Sequence, residues 1–540
     1  MESQGKSLSA QVQVEKGIAG AAGIVAFGTL ISRILGFIRD MILANLFGAT
    51  IAADAFYVAF RIPNLLRELF AEGSMSAAFI PVFTEYLSKK SRSEAKALAS
   101  AAFTTLLLLL CAVVAVGILF SPQLIGWIAP GFVRDPYKFS LTVSMTRIMF
   151  PFLLFISLAA LAMGILNSTR RFAPPALASG VFNVVSILFV FGFTPLLPEP
   201  VYGAAIGVAL GGLAQFLIQV PALYQEGFPL AFRRPLWPFH PGVIQMGRLL
   251  LPTTLGLSVT QINVLVNTLL ASYLAAGSVT YLYFGMRLIH FPLGIFAVAL
   301  STAILPTLST QVAKGDTEGV RQTFSFGLRL VFFITFPAMM GLILFRVPIV
   351  HLLFEHGAFG RVATLGTASA VLFYSIGLWA FAGIRIVVPV FYSLQDTKTP
   401  VKIGLIAVIA NIILNLVLMG PLQHGGLALA TSLSAILNFS LLLLILRKRI
   451  GRVDGKRILN SHLKVIVASA PLFLISWWMN TQKIWLSTGN WLLKAALLAI
   501  AIALSTASYF MMQILLKSEE FYFISNLIRN RFLKRTRLAK

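Results

Sequence analysis

Apolar stretches of membrane-spanning length recur along this chain from about residue 17 to residue 516, and arginines lie inside several of them. A bilayer-crossing helix needs about 20 mainly apolar residues. By that rule the 540 residues carry fourteen predicted spans, centred near residues 31, 63, 108, 154, 184, 212, 260, 294, 334, 377, 410, 435, 471 and 503. Only 11% of the residues are charged and 58% are hydrophobic, with a mean hydropathy of +0.87. A soluble fold of this length would have too few charges to cover so much apolar surface. The expected fold class is therefore an all-α polytopic membrane protein, which excludes a disordered chain, a disulfide scaffold and a soluble enzyme. The one cysteine, Cys111, sits in LLLLLCAVVAVGILF and is expected to be an inert thiol in the core. The polar opening MESQGKSLSAQVQVEK precedes an apolar stretch too long for a signal peptide.

The net charge of +25 would point to nucleic acid if the basic residues formed one patch, but they alternate between loops. One set of connections holds twenty-nine Lys and Arg, including Lys89, Lys90, Arg92 and Lys96, seven between Arg447 and Lys464, and seven from Lys517 to Lys540. The other set holds six: Arg134, Lys138, Arg346, Arg361, Lys483 and Lys494. Loops rich in Lys and Arg stay in the cytoplasm, so both termini are expected there. The basic surplus is topology information with some attraction to anionic lipid headgroups, and no nucleic-acid partner is expected.

The remaining eight basic residues fall inside predicted spans, and all are arginine: Arg33, Arg39, Arg61, Arg67, Arg147, Arg287, Arg329 and Arg385. Arg147 and Arg329 read as span-end residues that snorkel to the interface. The acids at membrane depth are Asp40, Asp54, Glu68 and Glu72. A charge at the bilayer centre costs at least about 2.5–3.5 kcal/mol on insertion scales, so each needs a reason. Arg33 and Asp40 share one helical face and can pair. Four acids cannot neutralise eight arginines, and the excess predicts a water-filled cationic cavity that receives an anion.

The chain also repeats itself. AFIPVFTEYLSK (Ala78 to Lys89) matches AILPTLSTQVAK (Ala303 to Lys314); NSTRRFAPP, ending at Pro175, corresponds to YSLQDTKTP, ending at Pro400; and GAAIGVALGGLAQF (from Gly203) matches GLALATSLSAILNF (from Gly426). Three matches in one order at a nearly constant offset predict two pseudo-symmetric six-helix lobes around a central cavity, at 17–224 and 225–449. Two extra spans follow at 450–516, then a basic tail at 517–540. Lobes of this kind hold substrate at their interface, often on broken helices. Gly36 lies between Arg33 and Arg39, Pro63-Asn64 between Arg61 and Arg67, and Pro292 follows Arg287. Tyr283, Arg287 and His290 lie on one helix face.

These same residues carry a family resemblance. SRILGFIRD (Ser32 to Asp40), DAFYVAFRIPNLLRELFAEGSMSAAFIPVF (Asp54 to Phe83), LLFEHGAFG (Leu352 to Gly360) and FYSLQDTKTPVKI (Phe391 to Ile403) resemble blocks of the MurJ (MviN-type) lipid II flippases. The resemblance covers about residues 20–450 in register and runs loosely through the last two spans. It implies the multidrug/oligosaccharidyl-lipid/polysaccharide exporter fold, with a V-shaped cavity. The expected function is flipping undecaprenyl-diphosphate-linked disaccharide-pentapeptide across the bacterial inner membrane. The family's cavity arginines correspond to Arg33, Arg39, Arg67 and Arg287, with Ser32, Asp40 and Asp54 in the same blocks; Arg61 and His290 are added as neighbouring candidates. Family members carry a carboxylate where this chain has His290, which alters the surroundings of Arg287. The resemblance also implies a groove for the polyprenyl tail beside the last two spans, and other cell-wall synthesis proteins as partners alongside lipid II and bilayer lipids. Arginine suits the diphosphate because its planar fork makes paired bonds to phosphate oxygens.

Weaker features complete the survey. His351, Glu355 and His356 match no familiar zinc spacing, so no metal is expected there. Asn411 and Asn415, and Asn263 and Asn267, are each one turn apart and could ligate sodium or bond between helices. A coupling sodium ion or proton is the expected energy source, with no other cofactor, because no phosphate-binding Gly-rich loop is present. Two other lipid-linked or antiport functions compete on the same fold: export of another polyprenyl-linked oligosaccharide, and multidrug/cation antiport. The antiporter would want cavity carboxylates, and the second half has none at depth. A membrane glycosyltransferase would want acidic outer loops, which are absent.

The loop charges place residues 85–97 and 447–464 in the cytoplasm and 125–140 outside. With Cys111 replaced, a single cysteine introduced in 85–97 should resist an impermeant thiol reagent in intact cells. Labelling there would reverse the topology.

Overall fold

The computed structural model describes residues 2–70, 74–232, 240–486 and 489–538. Every regular element among them is helical, as the spans require, because a helix satisfies its own backbone polar groups in hydrocarbon. The chain divides into two compact units, residues 1–261 and 262–540.

The first unit contains α1 (Glu2–Phe47), α2 (Ile51–Phe70), α3 (Ser74–Lys89), α4 (Arg92–Leu119), α5 (Ser121–Ile128), α6 (Pro136–Met149), α7 (Pro151–Ser168), α8 (Ala173–Phe193), α9 (Val201–Leu217) and α10 (Val220–Gln225). The division falls within α11 (Pro241–Ala271). Helix starts are written locally. Ser91 and Glu94 form a reciprocal capping box on α4, and Asp135 caps α6 ahead of Pro136. Helix α8 packs on α1 and α9, α2 on α6, α3 and α4 on α7, and α7 on α9. Gly28 is what lets α1 approach α8, since a Cβ there would lie 2.7 Å from the Ala176 carbonyl oxygen.

The second unit contains α12 (Ser278–Pro292), α13 (Val298–Ala313), α14 (Thr317–Leu344), α15 (Arg346–Phe354), α16 (Arg361–Ser375), α17 (Leu378–Ser393), α18 (Lys398–Leu422), α19 (His424–Ile450), α20 (Gly455–Ala468), α21 (Pro471–Thr481), α22 (Trp491–Leu515) and α23 (Glu519–Leu538). Its pairings repeat those of the first unit ten helices later: α12 with α16, α13 and α14 with α17, α17 with α19, and α18 with α19. The backbone repeats too. Arg170 and Gln395 are left-handed (φ 62° and 57°) in the connections α7–α8 and α17–α18, and Gly227 and Gly451 are left-handed (φ 71° and 83°) where each unit's run of paired helices ends.

Ten helical stretches among the described residues are long and apolar enough to cross a membrane, and α16–α17, bent by 42°, make an eleventh. These coincide with predicted spans. The predicted spans near 31, 63 and 260 are not among them. The α2 stretch carries Arg61, Arg67 and Glu68, which lowers its mean hydropathy, and the others rest partly on residues whose side chains lie outside the description. Cys111 is exposed rather than buried. Its helix α4 buries only 28% of its apolar window, so that face is turned outward, where an apolar side chain suits lipid.

The last two spans dock on the α14–α15 side of their own unit. Phe332 and Phe333 pack with Val465, Ala468, Leu472 and Tyr509, and Phe345 packs with Met479, Trp485, Leu498 and Ala501. Arg329 is a correction to the snorkelling expectation: it is 5% exposed and ion-paired with Glu520 and, at 2.9 Å, with Glu519. The acids come from α23, too far along the chain for periodicity to reveal. Arg147 is exposed, and its Nε donates to the Ile118 carbonyl at 3.3 Å.

Lys494, whose sequence position suggests a loop, is 3% exposed on α22 and donates to His351 Nε2 at 2.9 Å. An ammonium can only donate, so Nε2 accepts and the ring proton sits on Nδ1, 2.8 Å from a Glu355 oxygen. Arg361 stands 3.4 Å from the same carboxylate, and Trp485 meets the His351 ring edge-on. Burial pushes the His351 pKa below its ordinary 6.5, against the pull of Glu355.

A depressed folded-state pKa gives stability that is complete above the unfolded value and lost as acid protonates the ring. The melting temperature should therefore fall as pH drops below about 6.5, with a shallower fall in H351Q, which keeps an acceptor for Lys494 but does not titrate. Equal pH profiles for the two proteins would remove His351 from the account.

Candidate anion-binding site

Helix α1 carries SRILGFIRD with Ser32 half-buried, Arg33 exposed, Gly36 buried and Arg39 half-buried. The expected Arg33–Asp40 pairing gives way to the neighbour: Arg39 Nη2 lies 2.9 Å from Asp40 Oδ1, and Asp40 is fully buried. The Arg39 guanidinium also lies 5.5 Å from the centre of the Phe182 ring, a cation–π contact that steadies its plane. Asn183, nearly buried on α8, donates to the Ser32 carbonyl at 3.1 Å and to the Ser179 carbonyl at 3.0 Å. The α1–α8 contact allowed by Gly28 thus fixes the backbone from which Arg33 and Arg39 project.

Asp54, in the first turn of α2, is 1% exposed and lies 3.0 Å from Lys138 Nζ on α6. Lys138, assigned by its sequence position to an outer loop, is 7% exposed and lies 3.9 Å from the centre of the Phe132 ring. The capped turn at Asp135 and Pro136 starts α6 early enough to bury it. Asp54 is thereby engaged as half of a buried ion pair. Farther along α2, Pro63 lies inside the helix, and Arg61 and Arg67 are half-buried. Asn64 Oδ1 accepts from Arg67 Nε at 3.1 Å, Asn64 Nδ2 donates to Glu68 at 2.9 Å, and Gln261 Nε2 donates to the other Glu68 oxygen. Glu72 lies outside the described residues.

In the second unit, Tyr283, Arg287 and His290 share one face of α12, with Arg287 half-buried and His290 exposed. Directly beyond Pro292 the helix widens into a π-turn at Leu293–Ala297 before α13 resumes. Such turns are frequent at functional positions, and this one realises the predicted break. Arg385, on α17, is exposed. Chemically, both units carry arginine forks of the kind that can receive a phosphate-type anion.

The four asparagines separate into a cluster and a bystander. Asn415 Nδ2 donates to Asn267 Oδ1 at 2.7 Å and to Asn411 Oδ1 at 2.8 Å, and Asn267 donates to Thr431 at 3.2 Å. Asn411 and Asn415 are fully buried. Asn263 Oδ1 is buried with no hydrogen-bond partner among the described residues. Sequence reasoning missed Lys138, Asn183 and Gln261 as supports. Asn183 and Gln261 carried a usable signal as polar residues inside apolar spans.

Helices of this length, paired in this order and bearing arginines in their spans, define a multi-pass membrane protein of the transporter class. The fold agrees with solved structures. A lipid II flippase MurJ in an inward closed conformation superposes with a TM-score of 0.77 at 26% identity, covering 93% of this chain and 99% of that one. An inward-facing multidrug resistance MATE family transporter of the MOP superfamily gives 0.66 at 14% identity, covering 81% and 99%, a likeness of fold alone. The family described as lipid II flippase MurJ matches residues 43–501. The probable lipid II flippase MurJ of Vibrio cholerae is 38% identical over 515 residues, 94% of this chain and 97% of the relative. The lipid II flippase MurJ of Burkholderia cenocepacia is 37% identical, covering 89% and 94%. The chain belongs to the lipid II flippase MurJ family.

Removing one partner of a buried ion pair leaves an uncompensated charge and costs about 3–5 kcal/mol, whereas replacing both by apolar groups is often neutral. D54N and K138M should each lower the amount of folded protein recovered in detergent, and D54L/K138M should restore it. Full recovery of both single variants would show that the pair is not structural.

Proposed function

We propose that this chain flips lipid II from the cytoplasmic to the outer leaflet of the bacterial inner membrane, its termini in the cytoplasm, by alternating access. Arg33, Arg39, Arg67 and Arg287 hold the diphosphate, with Arg61 and His290 adding positive charge nearby. Ser32, Asp40 and Asp54 support that set rather than meet the substrate: Asp40 orients Arg39, and Asp54 is paired with Lys138. The observation that carries the reading is arginine placed near an internal proline in α2 and before the π-turn that follows α12, in a chain whose family relatives are named for the lipid II substrate. Fourteen spans, in two six-helix lobes at 17–224 and 225–449, account for the recurrence of helix pairings ten elements apart. The 450–516 pair supplies an apolar flank for the polyprenyl tail, supported by exposed Leu474, Trp477, Leu492 and Leu504. Peptidoglycan-synthesis enzymes that make and use the lipid are the expected partners.

Coupling to sodium fits the asparagine cluster. Asn267 and Asn411 aim amide oxygens at Asn415, and an amide reversal there would bring three neutral oxygens together, a donor set suited to a hard monovalent cation. A proton is the alternative coupling ion. Antiport of cationic drugs is disfavoured, because the described intramembrane carboxylates of the first unit already face basic or amide groups.

In cells depleted of their own lipid II flippase, the protein should restore growth and outer-face lipid II accessibility. Each Arg→Ala variant should lose flipping at normal abundance. Hydrogen bonds between charged groups contribute roughly 1.5–3 kcal/mol, equivalent to about 10- to 100-fold in occupancy. Lys should rescue only in part, having the charge without the fork. Normal transport by all four Ala variants would place the diphosphate elsewhere.

A further inference from the structure

Arg67 is gripped through a relay that begins at a carboxylate it barely touches. Asn64 and Glu68 are four residues apart on α2, one turn, so their side chains meet on one face beside Arg67. Glu68 Oε1 lies 3.7 Å from Arg67 Nη2, beyond hydrogen-bond reach. Asn64 bridges the two, accepting from Arg67 Nε at 3.1 Å and donating to Glu68 Oε1 at 2.9 Å. A carboxylate only accepts and a guanidinium only donates. The amide between them therefore has one workable orientation, oxygen toward Arg67 and nitrogen toward Glu68. The second carboxylate oxygen accepts from Gln261 Nε2 on α11, which keeps Glu68 from turning away to solvent.

Direct attraction is the smaller effect here. The Glu68 side chain is 36% exposed and that of Arg67 21%, and water screens a pair at that exposure. Direction matters more: the guanidinium is planar, so a fixed acceptor at Nε sets the plane in which both terminal nitrogens lie. An arginine with two mobile torsions near its head would present its fork to a phosphate only part of the time.

We propose that Glu68 is a positioning residue of the anion site, acting through Asn64 to hold the Arg67 guanidinium in the plane that addresses the diphosphate. Gln261 belongs to the same relay as the clamp on Glu68. The inference rests on the reading that Arg67 meets the diphosphate.

The test is a reversal of hydrogen-bond polarity, read as lipid II flipping per folded molecule in reconstituted vesicles, with detergent-extracted abundance measured alongside. E68Q keeps one oxygen for the two donors, Asn64 and Gln261, that the carboxylate serves, so one arm of the relay is lost, and flipping should fall about 3- to 10-fold, the effect of one neutral hydrogen bond. N64D places two carboxylates one turn apart and should lose at least as much. In N64D/E68Q the introduced carboxylate accepts from Arg67 while the introduced amide donates to it, so the relay regains its direction and a single negative charge. The double variant should return to within about twofold of the parent, an interaction between sites rather than a sum. Wild-type flipping in both single variants, or a double variant no better than the worse single one, would overturn the proposal. So would losses that vanish once flipping is divided by folded protein, since they would mark a purely structural contact. R67A serves as the control for the underlying reading: if R67A flips normally, Arg67 does not hold the diphosphate, whereas an inactive R67A beside a fully active E68Q removes only the relay.

Discussion

Everything in this protein follows from placing permanent positive charge inside helices that must otherwise be apolar. A basic side chain kept charged inside the fold needs a counter-group, a hydrogen-bond acceptor or water. Three solutions are visible at three sequence distances. Asp40 answers its neighbour Arg39; Asp54 meets Lys138 across two helices; and Glu519 and Glu520 return from α23 to enclose Arg329. The third ties the last helix to the middle of the second unit and gives the two final spans a fixed docking edge. Basic residues near span ends thus have different roles, and hydropathy alone does not distinguish them.

The arginines proposed for substrate differ from these structural ones in how they are held. Arg329 is enclosed by carboxylates, which cancel its charge locally. Arg39 and Arg67 each have one side steadied, by Asp40 and the Phe182 ring in one case and by Asn64 in the other. Support of this kind fixes the direction of each guanidinium, which a diphosphate site needs. The helices under these groups are shaped accordingly. Gly28 lets α8 close on α1 so that Asn183 reaches a backbone carbonyl, while Pro63 and the π-turn after Pro292 free the regular bonding of α2 and α12.

The two units show how a repeat survives when its sequence has drifted. What persists is geometry: left-handed residues at Arg170 and Gln395, and the same order of helix pairing. Side-chain chemistry has diverged more. The first unit gathers Asp40, Asp54 and Glu68 beside its basic groups, while the second places amides, Asn267, Asn411 and Asn415, in its interior. Backbone form is shared because packing restricts it, and the polar inventory is free to specialise.

The sequence by itself determined the class of fold and the approximate positions of eleven apolar stretches. These depend on local quantities: apolar length, residue type, and spacing along one helix. It also located the irregularity after Pro292, whereas α2 runs unbroken through Pro63. Only the tertiary structure decided which charges are paired and with what. Lys138 and Lys494 read as loop residues because they lie near span ends, yet neighbouring helices close over both. Arg329 read as a snorkelling residue because its partners lie 190 and 191 positions away. Cys111 read as buried because its segment is apolar, but apolarity in a membrane protein does not separate a core face from a lipid face. Charge pairing and burial depend on which surfaces of distant helices meet, and periodicity along a single helix does not carry that information.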